Sequence, residues 1–244
     1  MSTILVTGGT GGLGRPTVSA LLAAKHDVRI LSRRPGERHV IGDLATGEGL
    51  SDALRGVDTV LHLATNRKKD AADTARLLDA ARDVQHIIYI SIVGVDRIPF
   101  AYYVDKLATE KLIERAGIPY TILRATQFHD FVGDFLRAQR RLPVVISAAL
   151  PIQTIAVEDV AGRLAELAGN APAGRVPDIG GPQLTRVGEL VELWQQAFGT
   201  RKPVWTLRLP GKTMRAFAAG HHTTGLPGYG RGTFAEYAAR EAAK

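Results

Sequence analysis

The chain has 244 residues, 45% hydrophobic and 23% charged, enough for one large α/β domain or a domain with a small appendage. It has no cysteine, which excludes disulfides, thiolate catalysis and cysteine-ligated metals, and no apolar run of about 18 residues that would form a spanning helix. The net charge of +7 is scattered over Arg33-Arg34, Arg67-Lys68-Lys69 and Arg137…Arg140-Arg141 without interleaved aromatics, so no nucleic-acid partner is expected, and for lack of a spanning run no membrane partner is expected either.

Residues Thr3–Thr7 form an apolar run that meets a glycine loop and then a helical pattern from Gly12 to Ala24. Strands are predicted at Val28–Leu31, His39–Ile41, Val60–Leu63, His86–Ser91 and Tyr120–Arg124. Helices are predicted around Leu50–Leu54, over Ala71–Arg82, where Asp70 and Asp73 read as a solvated start, and over Ala101–Ala116. Strands alternating with helices, nearly continuous in Val, Ile and Leu, imply right-handed βαβ units and a parallel sheet covered on both faces. Past residue 127 the rhythm loosens. Helices are expected at Phe128–Arg140, Glu158–Ala168, Arg186–Phe198 and Thr233–Ala243, the last opened by a Thr233/Glu236 capping box. Short strands are expected at Val144–Ile146 and Gln153–Ala156. The stretch Pro203–Gly232 is dense in Pro and Gly, and Pro210 to His222 reads as a flap over a substrate. The expected architecture is an α/β Rossmann-type doubly wound parallel sheet with a small C-terminal α/β cap. Residues 1–127 would bind the dinucleotide, and 128–244 would be a substrate-binding region that is not an independent domain. The start at Met1 runs straight into a strand without a signal-peptide pattern, so a cytoplasmic location is expected.

Gly8, Gly11 and Gly14 follow a strand and precede a helix, in the frame Thr7-Gly8-Gly9-Thr10-Gly11-Gly12-Leu13-Gly14. The first glycine permits a sharp turn, the second lets backbone approach a pyrophosphate, and the third lets the helix pack closely. Unpaired N–H groups at the helix start, aided by the helix dipole, then favour phosphate. At the end of the second strand, where NAD-selective sites carry an acidic residue, the chain reads Leu31-Ser32-Arg33-Arg34. Two guanidiniums stand where a 2′-phosphate would bind, Arg33 favoured, so NADP(H) is expected over NAD(H).

Together with Gly42-Asp43-Leu44, Leu63-Ala64-Thr65, Ile90-Ser91-Ile92-Val93-Gly94, Tyr120–Arg124, Thr126–His129 and the segment Ile155–Ala161, this loop resembles the atypical short-chain dehydrogenase/reductases, the NmrA-like NAD(P)H-binding branch in particular. The resemblance covers essentially the whole chain. It implies that Asp43 and Leu44 lie against the adenine, Leu63, Ala64 and Thr65 beside the ribose, and Ala125 to Gln127 near the nicotinamide. Tyr102 and Lys106, one helical turn apart, share a face. In such reductases the tyrosine gives a proton to the substrate carbonyl, the lysine lowers its pKa and holds the ribose, and a serine, here Ser91, steadies the carbonyl. Tyr103 offers a second register, and a packing role for Tyr102 is the alternative. Phe128 and His129 are candidates for the substrate side, with His221 and His222 as further titratable groups. No metal site is expected. The implied activity is NADPH-dependent reduction of a small carbonyl, quinone or aromatic compound. A non-catalytic NADP(H)-binding sensor and a biosynthetic tailoring enzyme are the alternatives, and the oligomeric state is open.

Overall fold

The computed structural model describes residues 2–66 and 69–244; Arg67 and Lys68, part of one basic group noted above, lie outside the described residues. The chain groups into two compact units. The first comprises Met1–Ser91, Ala101–Arg124 and Val160–Pro177; the second comprises Ile92–Phe100, Ala125–Asp159 and Asp178–Lys244.

In chain order come β1 (Thr3–Thr7), α1 (Gly14–Ala23), β2 (Asp27–Ser32), β3 (His39–Ile41), α2 (Leu50–Ala53), β4 (Thr59–His62), α3 (Asp70–Ala80), β5 (His86–Ile92), α4 (Ala101–Arg115) and β6 (Tyr120–Ala125), all in the first unit but for the last residues of β5 and β6. The chain continues through β7 (Gln127–Phe128), α5 (His129–Ala138), β8 (Val145–Ala148), β9 (Pro151–Ile152), β10 (Thr154–Ile155), α6 (Val157–Ala168) and β11 (Gly174–Arg175). Seven strands form a parallel sheet in the order β11-β6-β5-β4-β1-β2-β3. The order reverses between β1 and β4, and ligands of open α/β sheets bind at the carboxyl ends of strands flanking such a reversal. Leu5, Val60, Ile87 and Ile122 face Leu77 and Leu78 of α3 and Ile113 of α4 in one buried cluster. Ile4, Val6 and Leu61 are equally buried, as strands covered on both faces require.

The second unit adds β12 (Thr185–Arg186), α7 (Val187–Ala197), β13 (Val204–Leu207), α8 (Lys212–Ala218) and α9 (Phe234–Ala242). Its strands pair two by two: β7 with β10, β9 with β12, β8 with β13. Val132 and Leu136 of α5, Leu190, Val191 and Trp194 of α7, and Phe234 and Tyr237 of α9 make its core. Thr233 caps α9 in a full capping box with Glu236, as the sequence predicts. The Pro/Gly-dense stretch is more ordered than its composition implies, because it holds both β13 and α8. The span read as a flap is also tied down: Thr213 Oγ1 donates to the Pro99 carbonyl at 2.8 Å, and Arg97 donates to that of His221 at 2.9 Å. Phe217 packs edge-on against Phe100 and His222.

Candidate functional site

The glycine loop closes on itself. Gly8 turns at φ +70°, and the Gly11 N–H donates to its carbonyl at 3.0 Å. A Cβ on Gly8 would lie 2.8 Å from the Ala64 nitrogen, and one on Gly14 would lie 2.1 Å from the Gly8 oxygen. The third glycine of the motif therefore lets the helix start pack against the turn itself. Gly9 is constrained as well, since its Cβ would meet Ile30 Cγ2 at 2.9 Å, a contact that the motif spacing does not reveal. Gly12 is the opposite case: a Cβ there meets nothing within 4 Å. Thr10, Gly11 and Gly12 are exposed, Leu13 supplies no side-chain cap, and the first turn of α1 holds no acidic residue. The result is a rigid turn presenting open backbone at a helix N-terminus, a cradle that suits a pyrophosphate.

Sheet register lines up the other cofactor candidates of the first unit. Thr7 pairs with Leu31 on one side and His62 on the other, and Ser32 pairs with Ile41. Arg33, Asp43 and Leu63 thus leave the sheet along the same edge as Gly8. Arg33 and Arg34 are exposed, and neither guanidinium bonds or pairs with another described residue. Asp43 Oδ1 accepts from the Ala45 N–H at 2.9 Å, which ties its carboxylate into its own turn, and Leu44 packs partly buried against the core. The Leu63 N–H donates to the Thr7 carbonyl and the Ala64 N–H to Thr7 Oγ1, both at 3.2 Å.

A buried polar cluster lies under this edge. Lys106 Nζ donates to the Ile90 carbonyl at 3.3 Å, stands 3.7 Å from Asp70 Oδ2, and sits 4.6 Å above the Tyr89 ring. Burial pushes its pKa down while Asp70 pulls it back up. Asp70 corrects the sequence reading: it is buried, not solvated, because Thr65 Oγ1 donates to it at 2.6 Å and the Asn66 N–H at 2.8 Å. Tyr102 OH lies 3.3 Å from Thr65 Oγ1 and is half-buried, whereas Tyr103 is buried. Ser91 Oγ is buried with no hydrogen-bond partner among the described residues. A buried hydroxyl left unpaired is costly unless a ligand completes it. One helical turn beyond Lys106, Glu110 receives two hydrogen bonds from Arg124, at 2.8 and 2.6 Å, in a buried pair. His62 is the functional-edge residue missed in the sequence. Its ring nitrogens meet Thr7 Oγ1 at 2.7 Å and Thr74 Oγ1 at 2.8 Å. Burial, reinforced by Lys106 and opposed by Asp70, pushes its pKa down to about 3, so it is a neutral strut.

The remaining candidates belong to the second unit. Ala125 is buried, accepts from the Val93 N–H at 3.0 Å and bridges to Ile179. Gln127 and Phe128 pair with Thr154 and Ile155, and both are half-buried. His129 is buried and has both nitrogens engaged, Nε2 donating to the Gly232 carbonyl at 3.1 Å and Nδ1 meeting Thr154 Oγ1 at 2.8 Å. Its ring has no nitrogen left for a substrate proton. His222 is also buried and donates from Nε2 to the Pro151 carbonyl at 2.9 Å. Thr126 Oγ1, like Ser91 Oγ, is buried without a partner among the described residues. Among those residues no group of three His, Cys, Asp or Glu could hold a metal, and no helix is long and apolar enough to cross a membrane.

A family model described as NAD(P)H-binding matches residues 8–171. A photosystem II assembly factor, Ycf39, of Cyanophora paradoxa is 30% identical over 173 residues, covering 62% of this chain and 52% of its own. The chain spans between 46% and 62% of the length of the first curated relatives it matches. Among solved structures, an NADPH-dependent quinone oxidoreductase from Escherichia coli superposes with a TM-score of 0.82 at 19% identity, covering 98% of this chain and 99% of that one. A Citrobacter sp. triphenylmethane reductase complexed with NADP(H) gives 0.80 at 20% identity, with coverage of 98% and 99%. At these identities the two structures establish the fold.

Proposed function

This chain belongs to the NAD(P)H-binding family of atypical short-chain dehydrogenase/reductases, and from that premise we propose that it is an NADPH-dependent reductase of a small quinone, carbonyl or conjugated aromatic compound. The observation that carries the reading is the placement of Lys106, held to the carbonyl of Ile90 immediately before the unpaired Ser91 hydroxyl, on the helix whose preceding turn carries Tyr102. The exposed backbone of Gly12 at the start of α1 supports pyrophosphate binding. Unpartnered Arg33, with no acidic residue at the end of β2, supports a 2′-phosphate and hence NADPH. Ala64, Thr65 and Lys106 would border the ribose.

Bound NADPH supplies the hydride. Ser91 Oγ would donate a hydrogen bond to the substrate oxygen, and Tyr102 would give that oxygen its proton as charge develops on it. Lys106 would hold the ribose from a fixed position, since it is anchored on two sides. The test is steady-state NADPH oxidation against a panel of quinones and aldehydes. Turnover that falls at least a hundredfold in Tyr102→Phe, with NADPH Kd unchanged, is expected. Full turnover in that variant would remove Tyr102 from the mechanism. The relative named as an assembly factor favours a second reading, NADP(H) binding without turnover; tight cofactor binding with no oxidation across the panel would establish it.

A further inference from the structure

We propose that the outer face of the β8–β13 ribbon docks on an anionic lipid surface and seats Trp205 at its interface. The ribbon pairs Ile146 with Trp205 and Ala148 with Leu207. Side chains alternate along a strand, so these residues share one face while Val145 and Ser147 turn inward and are buried. On the outer face Ile146, Trp205 and Leu207 are 37%, 61% and 42% exposed. Exposed Phe135 of α5 adjoins them, because the Gln139 side chain bridges its carbonyl to both the N–H and the carbonyl of Ile146.

Cations ring this apolar face. Arg140, Arg141, Arg201 and Arg208 are exposed, and none forms an ion pair with another described residue. Lys202 Nζ donates to the carbonyls of Arg140 and Leu142, which stitches the two cationic loops together. Residues 135–157 and 199–235 contain no Asp or Glu, and the adjacent Asp134 is already paired with Arg137. Guanidiniums around a Trp and aliphatic side chains match the layering of a bilayer interface, phosphates above the acyl boundary. A second copy of the chain would instead bring like charges face to face. The sequence-based expectation of no membrane partner rested on the lack of a spanning segment, which is silent on surface docking.

The chain has two tryptophans, and Trp194 is buried, so Trp205 reports on this face. The full chain is mixed with vesicles of phosphatidylglycerol and phosphatidylcholine, or of phosphatidylcholine alone. Sedimentation with the anionic vesicles only, a blue shift of Trp205 emission, protection from acrylamide and reversal by salt are expected. Arg140→Gln with Arg141→Gln lowers partitioning roughly fivefold per charge. Trp205→Ala removes the blue shift at an unchanged Tm. The proposal is overturned by no sedimentation with anionic vesicles, by equal binding to phosphatidylcholine, or by sedimentation with unshifted emission. It is also overturned by a concentration-dependent dimer that Trp205→Ala dissolves. A Trp205 shift on polyglutamate but not on vesicles would assign the face to an acidic protein instead.

Discussion

Two glycines of the same loop separate stability from ligand binding. A methyl on Gly14 would sit 2.1 Å from the Gly8 oxygen and 2.6 Å from Gly9 Cα, more than an ångström inside ordinary van der Waals contact with backbone that cannot rotate away. Overpacking of that kind costs about 1–3 kcal/mol. For a chain of this size each kcal/mol lowers Tm by about 2–4 °C, so Gly14→Ala should melt several degrees below the parent. Gly12 has open space where its methyl would go and is not at positive φ, so Gly12→Ala should leave Tm unchanged. The same methyl would stand between the backbone and the pyrophosphate. Losing charge-assisted contacts worth about 1.5–3 kcal/mol raises the NADPH Kd roughly tenfold to a hundredfold. Thermal melts and fluorescence titration with NADPH measure the two effects separately. An unchanged Kd in Gly12→Ala would refute the placement of the phosphates, and an unchanged Tm in Gly14→Ala would refute the packing argument.

Arg33→Ala should weaken NADPH by about tenfold or more while leaving NADH unaffected, because only the 2′-phosphate is lost as a partner. Equal weakening of both cofactors in paired titrations would assign Arg33 to something other than selectivity. Glu110→Gln takes the two-pronged carboxylate away from the buried Arg124 guanidinium, and urea unfolding should report a loss of about 3–5 kcal/mol; a loss under about 1 kcal/mol would contradict the weight given to this buried pair. Stability should also fall with pH below 6.5. His62 has a folded pKa of about 3 against 6.5 in the unfolded chain, so between those values the unfolded state binds the extra proton. The slope from this residue approaches about 1.4 kcal/mol per pH unit in that window. Denaturation series at pH 7.5 and 5 should therefore differ less in His62→Gln, and an identical difference would exclude this cause.

The β1–loop–α1 segment was legible in the sequence because its chemistry is local. A strand end, three glycines at fixed spacing and a helix start all fall within a dozen residues, and Gly11 and Gly14 both close on Gly8, although the approach of Ala64 to Gly8 is not local. The α9 cap was legible for the same reason, as Thr233 and Glu236 satisfy one another. What was not legible depends on partners far along the chain. Asp70 reads as a solvated helix start until Lys106 arrives from α4. His62 is one more strand residue until Thr74 and Thr7 close on its ring. The β8–β13 ribbon joins segments about sixty residues apart, and Pro203 and Pro210 hide its second strand from any periodicity.

Hydrogen-bond direction adds something that neither motif nor burial supplies. The Thr65 hydroxyl has one proton and gives it to Asp70, so at 3.3 Å its oxygen can only accept from the Tyr102 phenol. Tyr102 therefore points its proton at Thr65 and must turn away to serve a substrate. Lys106 faces the contrary constraint: the Ile90 carbonyl and the Asp70 carboxylate hold its ammonium on two sides, and the Tyr89 ring lies against a third. In the proposed mechanism the lysine, held on these sides, would act as a fixed cation, and the tyrosine would be the group that moves the proton.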